Sequence, residues 1–147
     1  MSVVQKFDLV GQRQIRIDKA NKLREMGINP YPSNSNRDTL STQITSDFEG
    51  FEGKTVIVAG RLMSWREHGH LVFGHLQDQD GRIQLYIKDD ELSPTSTENQ
   101  TLGFEDLNLL DVGDIVEATG TVTRTQKGEI SVLVNDLKIL TKAIRPL

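Results

Sequence analysis

Apolar and polar positions change their spacing near residue 54, and that change divides the chain into two kinds of structure. Before it, apolar residues are sparse and fall at helical spacing. Ile15, Ala20, Leu23 and Met26 form a thin stripe that predicts a helix over 11–26, and Gly27 stands where a left-handed residue would end it. So thin a stripe does not hold a short helix in water, which predicts that this one leans on a barrel or a partner subunit. The run Asn29-Pro30-Tyr31-Pro32-Ser33-Asn34-Ser35-Asn36 is rich in residues that favour turns and extended backbone, and reads as a connector.

Beyond residue 54 the pattern becomes short β-type runs separated by turn signals. Five strands are expected, over 55–66, 70–77, 82–88, 115–125 and 129–140. Between the third and fourth, the long stretch 89–113 carries Phe104, Leu107, Leu109 and Leu110, enough for a short helix. Five strands with a helical connection after the third is the order of an OB-fold, a mainly β Greek-key barrel. Its second and third strands and flanking loops bind oligonucleotides or oligosaccharides. The expected organisation is helix and connector over 1–50, barrel over 51–142 and the start of a linker over 143–147.

The second and third strands carry the functional argument. In the third, Ile83, Leu85 and Ile87 share one face, and Arg82, Gln84, Tyr86 and Lys88 the other. If Asp78-Gln79-Asp80-Gly81 is the turn, Gln77 faces Arg82, His75 faces Gln84 and Phe73 faces Tyr86, with all six side chains on the outer surface. Two aromatic rings beside amide, imidazole and guanidinium groups suit the stacking of an unpaired base and hydrogen bonding to its edge. Arg66, at the end of the first strand, could hold a phosphate or stack on a base. The competing reading is a cross-strand pair of Phe73 and Tyr86 covered by the N-terminal helix or the 89–113 insertion, and periodicity alone does not choose between them.

Charge sharpens this picture. The chain has 17 basic and 21 acidic residues, a net charge of -4, which argues against a protein that coats nucleic acid indiscriminately. Acidic side chains crowd 89–117, where there is no Lys or Arg, whereas Arg13, Arg16, Lys19, Lys22 and Arg24 lie within 13–24 beside the single carboxylate Asp18. Any RNA surface should therefore be local and oriented. The basic helix face is by base rate a solvated surface, and phosphate contact is the sharper hypothesis.

Other chemistry finds little support. With 0 cysteines there is no disulfide framework or thiolate metal site, which suits a reducing compartment. No apolar run approaches the ~20 residues of a membrane span, and the cytoplasm is the expected location. His68-Gly69-His70 has no clustered third ligand and reads as a loop rather than a metal site. Neither a nucleophile elbow nor a phosphate-cradling glycine loop occurs, so no catalytic centre and no cofactor are expected in this chain.

Several stretches resemble the N-terminal anticodon-binding domain of class II lysyl-tRNA synthetases. They are Leu23-Arg24-Glu25-Met26-Gly27-Ile28-Asn29-Pro30-Tyr31-Pro32, Val58-Ala59-Gly60-Arg61, Leu76-Gln77-Asp78 and Gly81-Arg82-Ile83-Gln84-Leu85-Tyr86. Gly113-Asp114-Ile115, Gly128-Glu129-Ile130-Ser131-Val132 and Leu140-Thr141-Lys142-Ala143-Ile144-Arg145-Pro146-Leu147 follow in family order. The barrel motifs are shared with the aspartyl and asparaginyl enzymes; the two flanks look like the lysine branch. The resemblance implies recognition of the tRNA(Lys) anticodon loop. Phe73 matches the aromatic that stacks the central base, Gln84 the residue that bonds a uracil edge, Arg66 the arginine beside that base, and Glu129 the acidic residue at a neighbouring base. His75 stands where many relatives have a small or acidic residue, and is a further RNA-binding candidate.

The resemblance further implies a parent enzyme that joins lysine to its tRNA with ATP and Mg2+, acts as a homodimer and keeps its active site beyond Leu147. Two other readings stay open at this point. One is a free-standing OB-fold protein that binds single-stranded nucleic acid, and the other is a protein-interaction module.

Overall fold

In the computed structural model, which describes residues 3–145 and side chains from Val10 onward, the expected five strands close into a barrel. They are β1 (Thr55–His68), β2 (Leu71–Gln77), β3 (Arg82–Lys88), β4 (Ile115–Arg124) and β5 (Ile130–Thr141). Their order around the barrel is β1-β2-β3-β5-β4, and β4 pairs back onto β1. Every pairing is antiparallel except the short parallel contact of β3 with β5. The chain therefore has the mainly β OB-fold that its pattern predicts.

Alternation explains the interior. Val56, Val58 and Leu62 of β1, Val72 and Leu76 of β2, and Ile83, Leu85 and Ile87 of β3 point inward with Val116, Val122, Val132 and Ile139. Burying each such side chain contributes about 1.5–3 kcal/mol relative to leaving it exposed. The expected short helix of the insertion is a 3-10 segment of six residues, Phe104–Leu109, whose Leu107 and Leu109 join the same core with Leu102 and Leu110.

The first helix, α1, runs Val3–Glu25, longer at its N-terminus than its stripe indicates. Its end is as expected. Gly27 has φ +86, the Ile28 amide donates to the Leu23 carbonyl and the Gly27 amide to that of Arg24, which is a Schellman ending. The buried face is a correction: Ile15 is 48% exposed, and Arg16, Ala20 and Leu23 make the buried stripe.

The helix leans on the segment just before β4 rather than on the β2–β3 surface. Arg16 donates from Nη1 to the Val112 carbonyl (3.1 Å), and Lys19 pairs with Asp111 (2.9 Å). Two of the five basic residues within 13–24 are thereby held in structural contacts, while Arg13, Lys22 and Arg24 stay exposed.

Entry and exit of the barrel meet at the same place. The Lys142 side chain is fully buried between Asp111 (2.6 Å) and Asp114 (2.7 Å). Its backbone amide donates to the Pro30 carbonyl, and the Tyr31 hydroxyl donates to the Lys142 carbonyl. The Pro-Tyr entry and the Thr-Lys-Ala exit, far apart in sequence, are thus one junction. Pro146 and Leu147 of the exit motif lie outside the described residues.

Two short helices escape the sequence reading, α2 (Ser41–Ser46) and α3 (Phe48–Phe51). The start of α2 is preceded by Leu40, which has no capping oxygen, and the β2–β3 turn supplies one instead. Asp78 accepts from the Ser41 amide (2.7 Å) and hydroxyl (2.8 Å) and from the amides of Asp80 and Gly81 (3.0 Å each). Partial burial opposes ionisation of Asp78, but these four donors together hold its pKa below the usual carboxylate range. The carboxylate fixes the hairpin turn and seats α2 beside it.

Candidate nucleic-acid interface

Strand pairing builds the outer surface as successive rows. Phe73 pairs with Tyr86, His75 with Gln84 and Gln77 with Arg82, the register expected from a four-residue turn. On the other side of β2, Arg66 pairs with Phe73 and Ser64 with His75. One row therefore reads Arg66–Phe73–Tyr86, and the next Ser64–His75–Gln84.

Strict alternation along β1 would not place Arg66 or Ser64 there, because both share the even phase of the inward Val58 and Leu62. The ladder shifts register between Leu62 and Ser64, so that Met63 is an extra residue and the phase beyond it is inverted. The same bulge turns Trp65 toward the barrel, opposite Gly74. A Cβ at Gly74 would lie 3.1 Å from Trp65 Cε3 and 3.0 Å from the Ser64 carbonyl oxygen, so the glycine makes room for the indole.

In the first row the Phe73 and Tyr86 rings are stacked, with centroids 5.0 Å apart and planes inclined by 5°. The His68 ring meets Phe73 edge-on at 6.2 Å. The cross-strand pair therefore forms, yet neither α1 nor the insertion buries it, and both rings are only partly covered. Arg66, across from Phe73, is exposed. An aromatic platform with a guanidinium at its side can stack a planar base and neutralise the phosphate that comes with it.

In the second row the outward phase of Gln84 is as expected, but the side chain is only 3% exposed. Its cover is Glu129, from the turn before β5. A carboxylate only accepts, so the Gln84 amide nitrogen faces it and donates to both Glu129 oxygens, 3.0 Å from Oε1. His75 Nε2 donates to the same Oε1 at 2.7 Å, and His75 Nδ1 lies 2.9 Å from Ser64 Oγ. Phe73, Gln84, Arg66, Glu129 and His75, the five residues singled out in the sequence, thus share one continuous surface.

Beside this row opens a cleft of about 470 Å³ lined by Thr45, His75, Arg82, Ile83, Gln84, Arg124, Gly128, Glu129 and Ile130. Arg82 is oriented by a hydrogen bond from Nε to Gln77 Oε1 (2.9 Å), and Arg124 lies over the Phe48 ring at 4.6 Å. Sequence reasoning missed Ser64, Thr45 and Arg124. Only the bulge brings Ser64 to this face, and only the docking of α2 and α3 brings Thr45 to the cleft wall and the Phe48 ring against Arg124. A cation near the β4–β5 turn was the one local signal for Arg124.

The His68–His70 loop behaves as a solvated connection. Gly69 has φ +61, and His70 Nδ1 lies 3.1 Å from Asp89. Among the described residues no group of three or more His, Asp or Glu side chains could hold a metal ion, and no helix is long and apolar enough to cross a membrane.

A five-stranded barrel with a stacked aromatic pair and a row of polar side chains on its second and third strands defines a class. Residues 56–140 match the family model of the tRNA anticodon type of OB-fold nucleic acid binding domain, and the chain belongs to that family. Its relatives narrow the class, and the chain is an anticodon-binding OB domain that matches lysine–tRNA ligases. It is 44% identical over 133 residues to the lysine–tRNA ligase of Thermoanaerobacter pseudethanolicus, which covers 90% of this chain and 25% of that protein. The enzyme of Syntrophomonas wolfei is 43% identical over 135 residues, 92% of this chain and 26% of the relative. That of Christiangramia forsetii is 45% identical over 139 residues, 92% and 24% respectively. The chain spans about a quarter of the length of the curated relatives it matches.

Proposed function

We propose that this chain reads the anticodon loop of tRNA(Lys) on behalf of a lysine–tRNA ligase, with uridine-rich bases splayed over the outer face of β2 and β3. The observation that carries this reading is the juxtaposition of the two rows: the Phe73–Tyr86 platform beside the Gln84–Glu129 pair. One row supplies sequence-tolerant stacking and the next supplies the edge contacts that carry identity. Arg66 holds the phosphate or the far face of the base stacked on Phe73, and Arg82 and Arg124 steer the flanking backbone into the cleft.

The remaining activity follows from the same reading. The whole enzyme attaches lysine to its tRNA in a catalytic part that binds ATP and Mg2+, works as a homodimer and resides in the cytoplasm. The residues of this chain bind and orient the anticodon and take no part in the bond-forming step.

A titration against stem-loops tests the proposal. The chain should prefer a lysine-type anticodon loop over an aspartate-type loop by about tenfold or more, the worth of one well-made edge contact. Equal affinity for both, or displacement by unrelated single-stranded oligonucleotides at the same concentrations, would replace it with an OB protein that binds single strands without preference.

A further inference from the structure

His75 is oriented more tightly than a residue awaiting RNA requires. Its backbone amide donates to Ser64 Oγ (3.1 Å), and the same hydroxyl lies 2.9 Å from Nδ1 of the ring. With the ring neutral, the Ser64 hydroxyl donates to Nδ1, which leaves the proton on Nε2. With the ring charged, Nε2 carries a proton as well. In both states an N–H points at Glu129 Oε1, 2.7 Å away.

Glu129 therefore accepts from two directions, from His75 on β2 and from the Gln84 amide on β3. The consequence falls on Gln84. A free glutamine amide can rotate by half a turn and offer either its carbonyl or its NH2 group, so by itself it does not distinguish a base that donates from one that accepts. With the carboxylate fixed on one side, the nitrogen must face it and the carbonyl oxygen is left on the other.

We propose that His75 is a positioning residue for base selection. By holding the Glu129 carboxylate against the Gln84 amide, it locks the Gln84 carbonyl as an acceptor and so selects bases with a ring N–H on the pairing edge, such as uracil, over cytosine, whose ring nitrogen there accepts. This rests on the anticodon-reading function proposed above and adds a different role for His75: it acts through Glu129 and does not itself contact the base.

The test compares affinities of the whole chain for two stem-loops that differ only by uridine or cytidine at the central anticodon position. His75→Ala should lower the uridine preference about tenfold, the worth of one orienting hydrogen bond. His75→Gln, whose amide can reach Glu129 from the same strand position, should restore most of it. In a Glu129→Ala background, His75→Ala should cause no further loss, since its only route of action is gone.

The outcomes are separable. If the unmodified chain shows no uridine preference, the anticodon reading itself fails. If that preference exists but His75→Ala keeps it, or weakens both stem-loops equally, the positioning role is overturned. A further loss from His75→Ala in the Glu129→Ala background overturns it as well. Circular dichroism melts of each variant identify loss of fold as the cause of any general weakening, and the ratio of the two affinities remains readable for every variant that folds.

Discussion

Phe73 and Tyr86 stack almost parallel across neighbouring strands, 5.0 Å between centroids, on the outside of the barrel and not within it. The platform exists before any base arrives, so little side-chain freedom is lost on binding. Phe73→Ala removes the ring that a base would lie on, and base stacking on an aromatic contributes about 1–3 kcal/mol. Anticodon stem-loop affinity should fall by roughly one to two decades in a fluorescence-anisotropy titration. An unchanged affinity would place the stack elsewhere on the barrel.

Gln84 lies in the adjoining row, opposite His75, and in the proposed function its part is an edge contact, not a stack. Gln84→Ala should lower discrimination between lysine-type and aspartate-type stem-loops more than it lowers affinity for nucleic acid in general. Side-by-side titrations read the ratio directly.

The basic residues of α1 divide into two groups with different expected effects. Arg16 and Lys19 are tied to Val112 and Asp111, so Arg16→Ala should destabilise the chain by about 1–3 kcal/mol in urea unfolding, through the loss of a partly buried charged hydrogen bond. Arg13 is exposed, and Arg13→Ala should leave stability within about 0.5 kcal/mol. If RNA phosphates contact α1, the exposed group is where the salt dependence of binding should change.

Lys142 makes the most demanding ion pair, because its ammonium has no exposure and lies between two carboxylates. Lys142→Ala leaves Asp114 buried without its partner and should cost about 3–5 kcal/mol, measured by the shift of the urea midpoint. A change of under about 1 kcal/mol would mean that water takes the place of the ammonium.

Acid should unfold the chain through Asp111 and Asp78. Burial opposes the ionisation of Asp111, but its hydrogen bonds and charge interactions with Lys142 and Lys19 outweigh it, and its pKa is lowered. The Asp78 pKa is lowered as well, against burial, by its bonds from Ser41, Asp80 and Gly81. A carboxylate with a depressed folded-state pKa contributes stability that is present above its unfolded value, about 3.9, and is lost as pH falls through the folded value. Unfolding free energy should be flat near neutrality on account of these two groups and decline below about pH 4. Asp78→Asn should shallow that decline, which urea titrations at a series of pH values would detect.

Much of the site was legible from alternation alone. Period-two spacing set the inward phase of Ile83, Leu85 and Ile87, and the Asp78–Gly81 turn then fixed that Phe73 meets Tyr86 and His75 meets Gln84. Gly27 likewise announced the end of α1, because only a residue tolerant of positive φ completes that cap. Such features depend on neighbours a few residues apart, which is the range over which a sequence pattern carries information.

The rest depended on contacts between distant segments. Alternation gives Arg66 and Ser64 the core phase, and only the bulge at Met63 brings them onto the face that Phe73 and His75 occupy. Nothing local marks Glu129 as the cover of Gln84, or Asp78 as the acceptor for a helix start 37 residues earlier. The sequence by itself determined the barrel, its strand order and the composition of the outer face of β2 and β3. Tertiary structure decided which polar groups are held in orientation and which are left free, because that depends on closing the barrel and bringing β1, β3 and the start of β5 within hydrogen-bond distance of one another.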